Sequence, residues 1–132
     1  MTILVNLRRR ILEENLTHCE IPDSVTEIAM GTFAGCTRLT SIILPSSVTR
    51  ISDQAFEFCA NLTSITLPGS VTEIGDRAFA YCTSLTSITL PSSVTSISLF
   101  AFANCTNLPS INLPDSVTEI GSFAFAKCER LT

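Results

Sequence analysis

The apolar positions of this chain recur every 23 residues, with polar residues filling the gaps. One unit reads Leu62-x-x-Ile65-x-Leu67-Pro68-x-x-Val71-x-x-Ile74-x-x-x-Ala78-Phe79-x-x-Cys82. Cys36, Cys59, Cys82, Cys105 and Cys128 share one register, Phe33, Phe56, Phe79, Phe102 and Phe125 a second, and Pro22, Pro45, Pro68, Pro91 and Pro114 a third. Self-similarity at such a period marks a stack of repeats, each touching only its neighbours. The pattern predicts three segments per unit. Leu-x-x-Ile-x-Leu alternates, so its last two apolar residues share a strand face, and the proline, lacking an N–H, ends the strand. The β-branched Val-Thr-x-Ile stretch predicts a second extended segment on the opposite side. Ala-Phe-x-x-Cys spaces apolar residues one turn apart and predicts a helical turn, with Asp53, Asp76 and Ser122 placed to cap it.

The two ends differ from the middle. Residues 3 to 14 predict an amphipathic helix with Leu4, Leu7 and Ile11 as its apolar stripe. Thr2 is its candidate N-cap, and Arg9/Glu13 and Arg10/Glu14 are i,i+4 ion pairs. We therefore divide the chain into a capping helix over 1–15 and five repeats over 16–132, with Cys19 replacing the strand isoleucine in the first. No comparable cover is expected at the C-terminal rung. That rung is a candidate surface for self-association into a homo-oligomer.

Composition narrows the function. A chain of 132 residues, 45% hydrophobic, is one domain with a regularly buried core. No apolar stretch approaches the roughly 18 to 20 residues that cross a bilayer, so membrane insertion is not expected. A net charge of -4 disfavours nucleic acid. The one basic run, Arg8-Arg9-Arg10, precedes Glu13 and Glu14 and reads as a solvated helix face. The N-terminus lacks the charge order of a secretory signal. Three glycosylation sequons, at Asn15, Asn61 and Asn104, are incidental in a threonine-rich repeat.

The Leu-x-x-Ile-x-Leu-Pro and Ala-Phe-x-x-Cys segments, for example Leu85 to Pro91 and Ala78-Phe79 with Cys82, resemble the BspA-like leucine-rich repeat, also called the Treponema pallidum type. The resemblance covers residues 16 to 132. It implies an α/β repeat fold: a right-handed horseshoe solenoid with a parallel sheet on its concave face and short helical turns or extended segments on the convex side. It also implies a surface adhesin or interaction protein of the cell surface or secreted space, binding a host matrix or plasma protein. It carries over no catalytic residue.

Each candidate site has a structural alternative beside it. The cysteines stand in a line, one per rung. Zinc wants ligands converging on a point, so these read as buried thiols, and neither metal nor cofactor is expected. Ser41/Ile43, Ser64/Thr66, Ser87/Thr89 and Ser110/Asn112 alternate with the buried strand residues and form an uncharged outward face. That face is either a binding surface or β-compatible filler. Thr26, Thr49, Thr72, Thr95 and Thr118 do not vary, which points to structure. Phe58 and Tyr81 occupy one register where other units carry Gly35, Asn104 and Lys127. Phe100 and Phe123 occupy another beside Gln54 and Arg77. These aromatic pairs are either a sticky patch or local stacking. Catalysis finds no support: His18 is the one histidine and reads as a solvated strand-edge residue, and Glu27, Glu73 and Glu119 lie two rungs apart. A non-catalytic protein-interaction module is the leading expectation, and a self-assembling structural piece is the alternative.

Overall fold

The computed structural model describes residues 2–132, Thr2 by its backbone alone. Helix α1 (Thr2–Glu14) leads into a stack of rungs in which each residue pairs with the one 23 positions further on. We number the rungs one to five, beginning at residues 16, 39, 62, 85 and 108. The cap expected of Thr2 lies outside the described side chains.

The leucine-rich segments form β1 (His18–Glu20), β3 (Ser41–Ile43), β5 (Ser64–Thr66) and β7 (Ser87–Thr89). They pair in parallel as β1 with β3 and β5 with β7. The Val-Thr-x-Ile segments give β2 (Glu27–Ile28), β4 (Arg50–Ile51), β6 (Glu73–Ile74), β8 (Ser96–Ile97) and β9 (Glu119–Ile120). These join into one continuous five-stranded parallel sheet. The parallel solenoid is thus present on both sides, and its more continuous ladder is the one built from the shorter strands.

The leucine-rich strands do not pair between β3 and β5, and rung five has no such strand, where one donor is also missing. Thr40, Thr63 and Thr86 each donate their backbone N–H to the threonine carbonyl one rung earlier, at 2.7, 3.2 and 2.9 Å. Their hydroxyls reach the same carbonyls at 2.9, 3.3 and 3.2 Å. In rung five this register holds Pro109, which has no N–H to give. The segment after it forms no strand, and Leu113 stands exposed.

The third segment is tighter than one helical turn. It is a chain of turns in which Ala55, Cys59 and Leu62 donate back three residues, to Ser52, Phe56 and Cys59. Between those donors, Gln54, Phe56 and Phe58 donate across to Asp76, Ala78 and Ala80 of the next rung at 2.8, 2.8 and 2.9 Å. Asp53 does not cap a helix; its Oδ1 accepts the Asp76 N–H at 2.9 Å, again across rungs.

The core is a set of columns. Phe33, Phe56, Phe79, Phe102 and Phe125 stack at 5.5, 5.2, 5.3 and 5.5 Å between ring centroids. Leu39, Leu62, Leu85 and Leu108 are fully buried above one another, as are Ile28, Ile51 and Ile74. Helix α1 covers rung one with Leu4 and Ile11. Its Arg8 does more. The carbonyls of Thr32 and Ala34 correspond to those that accept N–H groups from an earlier rung elsewhere in the stack. Here Arg8 Nη1 donates to them instead, at 3.2 and 2.6 Å. On the helix surface Arg10 meets Glu14 at 3.3 Å, whereas Arg9 turns to Asn6 rather than to Glu13.

Gly75 and Gly121 share a register with Ala29, Ser52 and Ser98, and at both glycines the previous rung comes close. A Cβ on Gly75 would sit 2.5 Å from Asp53 Oδ1 and 2.8 Å from the Ser52 carbonyl carbon. Gly69 has open space around it and an ordinary φ. Gly75→Ala should therefore cost about 1–3 kcal/mol of stability in urea unfolding. Gly69→Ala should stay within about 0.5 kcal/mol of the parent. Equal effects would refute the close approach.

Candidate binding surfaces

Two separate surfaces collect the residues singled out in the sequence. The first lies on the outward face of the leucine-rich strands. A groove of about 530 Å³ runs over β3 and β5, lined by His18, Ser41, Ile43, Ser64, Thr66 and Pro68 among others. Four of the eight strand-face candidates thus converge. β3 is held by pairing with β1 and β5 by pairing with β7, and the alternate residues Ile42 and Ile65 anchor both strands in the core. Ile43 is 51% exposed, an apolar centre among hydroxyls. Ser87 and Thr89 continue the face on β7. Ser110 and Asn112 do not, since that segment forms no strand.

His18 is not isolated: its Nδ1 and Ser41 Oγ share a hydrogen bond of 2.6 Å. The pair is exposed, and among the described side chains no carboxylate bonds the ring. It supplies a polar edge to the groove.

The second surface is the outer edge of the turns, where the backbone is left-handed. Gly31, Gln54, Arg77, Phe100 and Phe123 have φ between 55° and 66°, and Gly35, Phe58, Tyr81, Asn104 and Lys127 between 58° and 72°. These are the two variable registers that hold the aromatic pairs. A non-glycine residue costs roughly 1–2 kcal/mol in this conformation, so four aromatic side chains stand where glycine would be cheaper. Phe58 stacks on Tyr81 at 4.5 Å and Phe100 on Phe123 at 5.2 Å. Arg77 lies over Phe100 with its guanidinium carbon 4.8 Å from the ring centre. Phe58, Tyr81 and Phe123 are 48%, 41% and 64% exposed. Stacking and exposure therefore coexist. Sequence reasoning found the aromatic pairs but not the backbone under them. The available signal was Gly31 and Gly35, at the same two registers in rung one.

The remaining candidates are structural. Thr49, Thr72, Thr95 and Thr118 donate backbone N–H at 2.9 Å and hydroxyl at 3.3 Å to the threonine one rung earlier, so that column is a ladder. Glu73 meets Arg50 at 3.3 Å instead of another acid. Among the described residues no group of three His, Cys, Asp or Glu side chains is placed to hold a metal. All six cysteines are free and buried. From Cys59 to Cys128 each thiol donates to the carbonyl of a phenylalanine in the previous rung, at 3.0 to 3.3 Å. Burial pushes the Cys59 and Cys105 thiols up to about 12, and Cys82 well above its ordinary value. Among the described residues no helix is long and apolar enough to cross a membrane.

Comparison with known proteins places this geometry. Residues 12–132 match the family model described as BspA type leucine rich repeat region, in six copies. The chain is similar to the leucine-rich repeat protein of T. pallidum, 38% identical with a TM-score of 0.86, over 88% of this chain and 56% of that one. It is similar to the pneumococcal vaccine antigen PcpA, 35% identical with a TM-score of 0.78, over 88% of this chain and 28% of that one. It is also similar to a leucine rich cell surface protein of Faecalibacterium prausnitzii, 37% identical with a TM-score of 0.63, over 89% of this chain and 38% of that one. The chain therefore spans little more than half of the first of these and less of the others. No curated protein sequence matches it.

Two predictions follow from the columns. The folded chain keeps its core thiols protonated, while unfolded thiols ionise near their ordinary 9.0. Above that pH the unfolded state binds fewer protons, so stability should fall between about 9 and about 12. Well below pH 9, where the thiols are protonated in both states, they should contribute no slope. Urea midpoints from pH 7 to 10.5 should show this decline, reduced in a Cys59→Ala/Cys105→Ala protein. A flat profile in the parent would count against it. Separately, Phe100→Ser with Phe123→Ser should retain the parent circular dichroism and cost about 1–2 kcal/mol, whereas Phe102→Ser should cost about 4 kcal/mol or more. Equal losses would make the outer pair core.

Proposed function

Since this chain belongs to the BspA-type leucine-rich repeat family, whose repeats generally serve as protein-interaction modules, we propose that it is a non-catalytic module that binds another protein. The groove over β3 and β5 is its main contact. The observation that carries this reading is the setting of Ile43: an exposed aliphatic side chain in a concavity rimmed by His18, Ser41, Ser64 and Thr66. Binding patches have this composition, an apolar centre and a polar, uncharged rim able to meet backbone groups of a partner. The aromatic columns supply a second contact on the turn edge. Similarity to a vaccine antigen and to a cell surface protein supports an adhesin that meets a host matrix or plasma protein at the cell surface.

A second reading rests on the exposed Leu113, Ile120 and Phe123 of rung five: self-association through that rung. Sedimentation over a wide concentration range separates it, since a monomer throughout excludes it.

The test of the main reading is a binding screen of the purified chain against extracellular-matrix and plasma proteins. We expect a saturable binder whose affinity falls about tenfold or more with Ile43→Asp and with Ser64→Arg. Both variants should keep the parent circular dichroism, because both side chains point outward. A screen without a binder, or a binder indifferent to both substitutions, defeats the reading.

A further inference from the structure

Each of the two left-handed columns holds one stacked pair of rings, and the two pairs differ in what precedes them. In the first, Arg77 on rung three lies over Phe100 on rung four at 4.8 Å, and Phe100 stacks on Phe123 on rung five at 5.2 Å. The order is cation, ring, ring. In the second, Phe58 on rung two stacks on Tyr81 on rung three at 4.5 Å, and the preceding place on rung one is Gly35. A Cβ built on Gly35 meets nothing within 4 Å. The order there is open space, ring, ring. The face of Phe58 that looks toward rung one is bare, and its partner ring on the other side holds it in place.

We propose that the Phe58 face above Gly35 is a docking slot for an arginine side chain of a partner protein, whose guanidinium takes the place on Phe58 that Arg77 takes on Phe100. Two features support this occupant. The chain itself satisfies the equivalent place with a guanidinium. A guanidinium is flat and weakly hydrated and stacks on aromatic faces, whereas an ammonium is a strongly hydrated point charge. The backbone strain has the same sense. Phe58 and Tyr81 sit at φ of 62° and 61°, where glycine or asparagine would be less strained, and their mutual stacking recovers only part of that strain. This inference deepens the protein-binding reading by giving the partner's chemistry at the turn edge. It uses none of the groove residues.

The slot can be read without knowing the partner. Tyr81 is the one tyrosine in a chain without tryptophan, so its ring resonances report on this stack alone. The ¹⁵N-labelled protein is titrated at constant ionic strength with an end-capped Gly-Arg-Gly peptide. Its lysine and citrulline counterparts and a neutral monosaccharide are run in parallel. We expect saturable shifts of the Gly35 amide and Tyr81 ring with the arginine peptide, about threefold or more weaker binding of lysine, and none of citrulline or sugar. Gly35→Asn and Gly35→Arg should each fill the slot and abolish the response. Both should fold, because Asn104 adopts a φ of 61° at the same register and Arg77 adopts 55° in the sister column. Ile43→Asp should leave the response unchanged, so failure of the groove and failure of the slot are distinguishable. No saturable shift with the arginine peptide, an equal shift with any comparator, or a response that survives both Gly35 variants would overturn the proposal.

Discussion

Everything in this molecule depends on the backbone hydrogen bonds that tie each residue to its counterpart 23 positions away. They fix the separation of rungs at little more than the thickness of a ring, and they bring like residues face to face. A column of phenylalanines becomes a stack, and a column of threonines becomes a second ladder in which hydroxyls reinforce amides. A column of cysteines becomes a row of thiols each donating to the rung before it. The same constraint punishes exceptions. Gly75 and Gly121 are small because the backbone behind them leaves no room, and Pro109 takes one N–H donor out of the threonine ladder.

A ladder must also be closed where it has no further rung. On the side of rung one the closure is a single arginine. Arg8 lends its guanidinium to the two turn carbonyls that an earlier rung would otherwise engage, while Leu4 and Ile11 of the same helix cover the apolar core. Apolar burial and polar satisfaction are thus met by one helix, on one face, three and four residues apart. In the sequence Arg8 looked like part of a solvated basic run. Its role depends on where the turn carbonyls point, and nothing in its neighbours along the chain reveals that.

The repeating residues were legible because their environment repeats with them. Leu62, Ile65, Val71, Phe79 and Cys82 announce strand, extended segment and turn, since a period of two or a spacing of one turn carries its own geometry. What escaped notice follows from cross-rung relations. The continuous sheet is the one made of two-residue strands, too short to show alternation. Asp53 stands where a helix cap would stand, before an apolar turn, and it instead bonds an amide one rung on. The pairing of His18 with Ser41 joins two residues that belong to different units. The strand-face candidates were placed well as far as β7 and lost beyond Pro109, where a well-patterned segment forms no strand.

Fold and function separate most clearly at the left-handed turn positions. A stack of repeats selects strongly where side chains face the core or the neighbouring backbone, and those registers are almost uniform. The two left-handed registers are neither. They face solvent, they would be least strained with glycine, and they hold glycine only in rung one. Replacing glycine by Gln54, Arg77 and Phe100 along one column, or by Phe58 and Tyr81 along the other, adds backbone strain at each step. Adjacent rings recover part of that by stacking on one another. They recover it only in pairs, so an aromatic at these registers is favourable beside another aromatic or a guanidinium and poor beside glycine. Phe58 has Tyr81 on one side and Gly35 on the other. Its stabilisation is half complete within the chain, and a flat cation from outside is the group whose chemistry completes it.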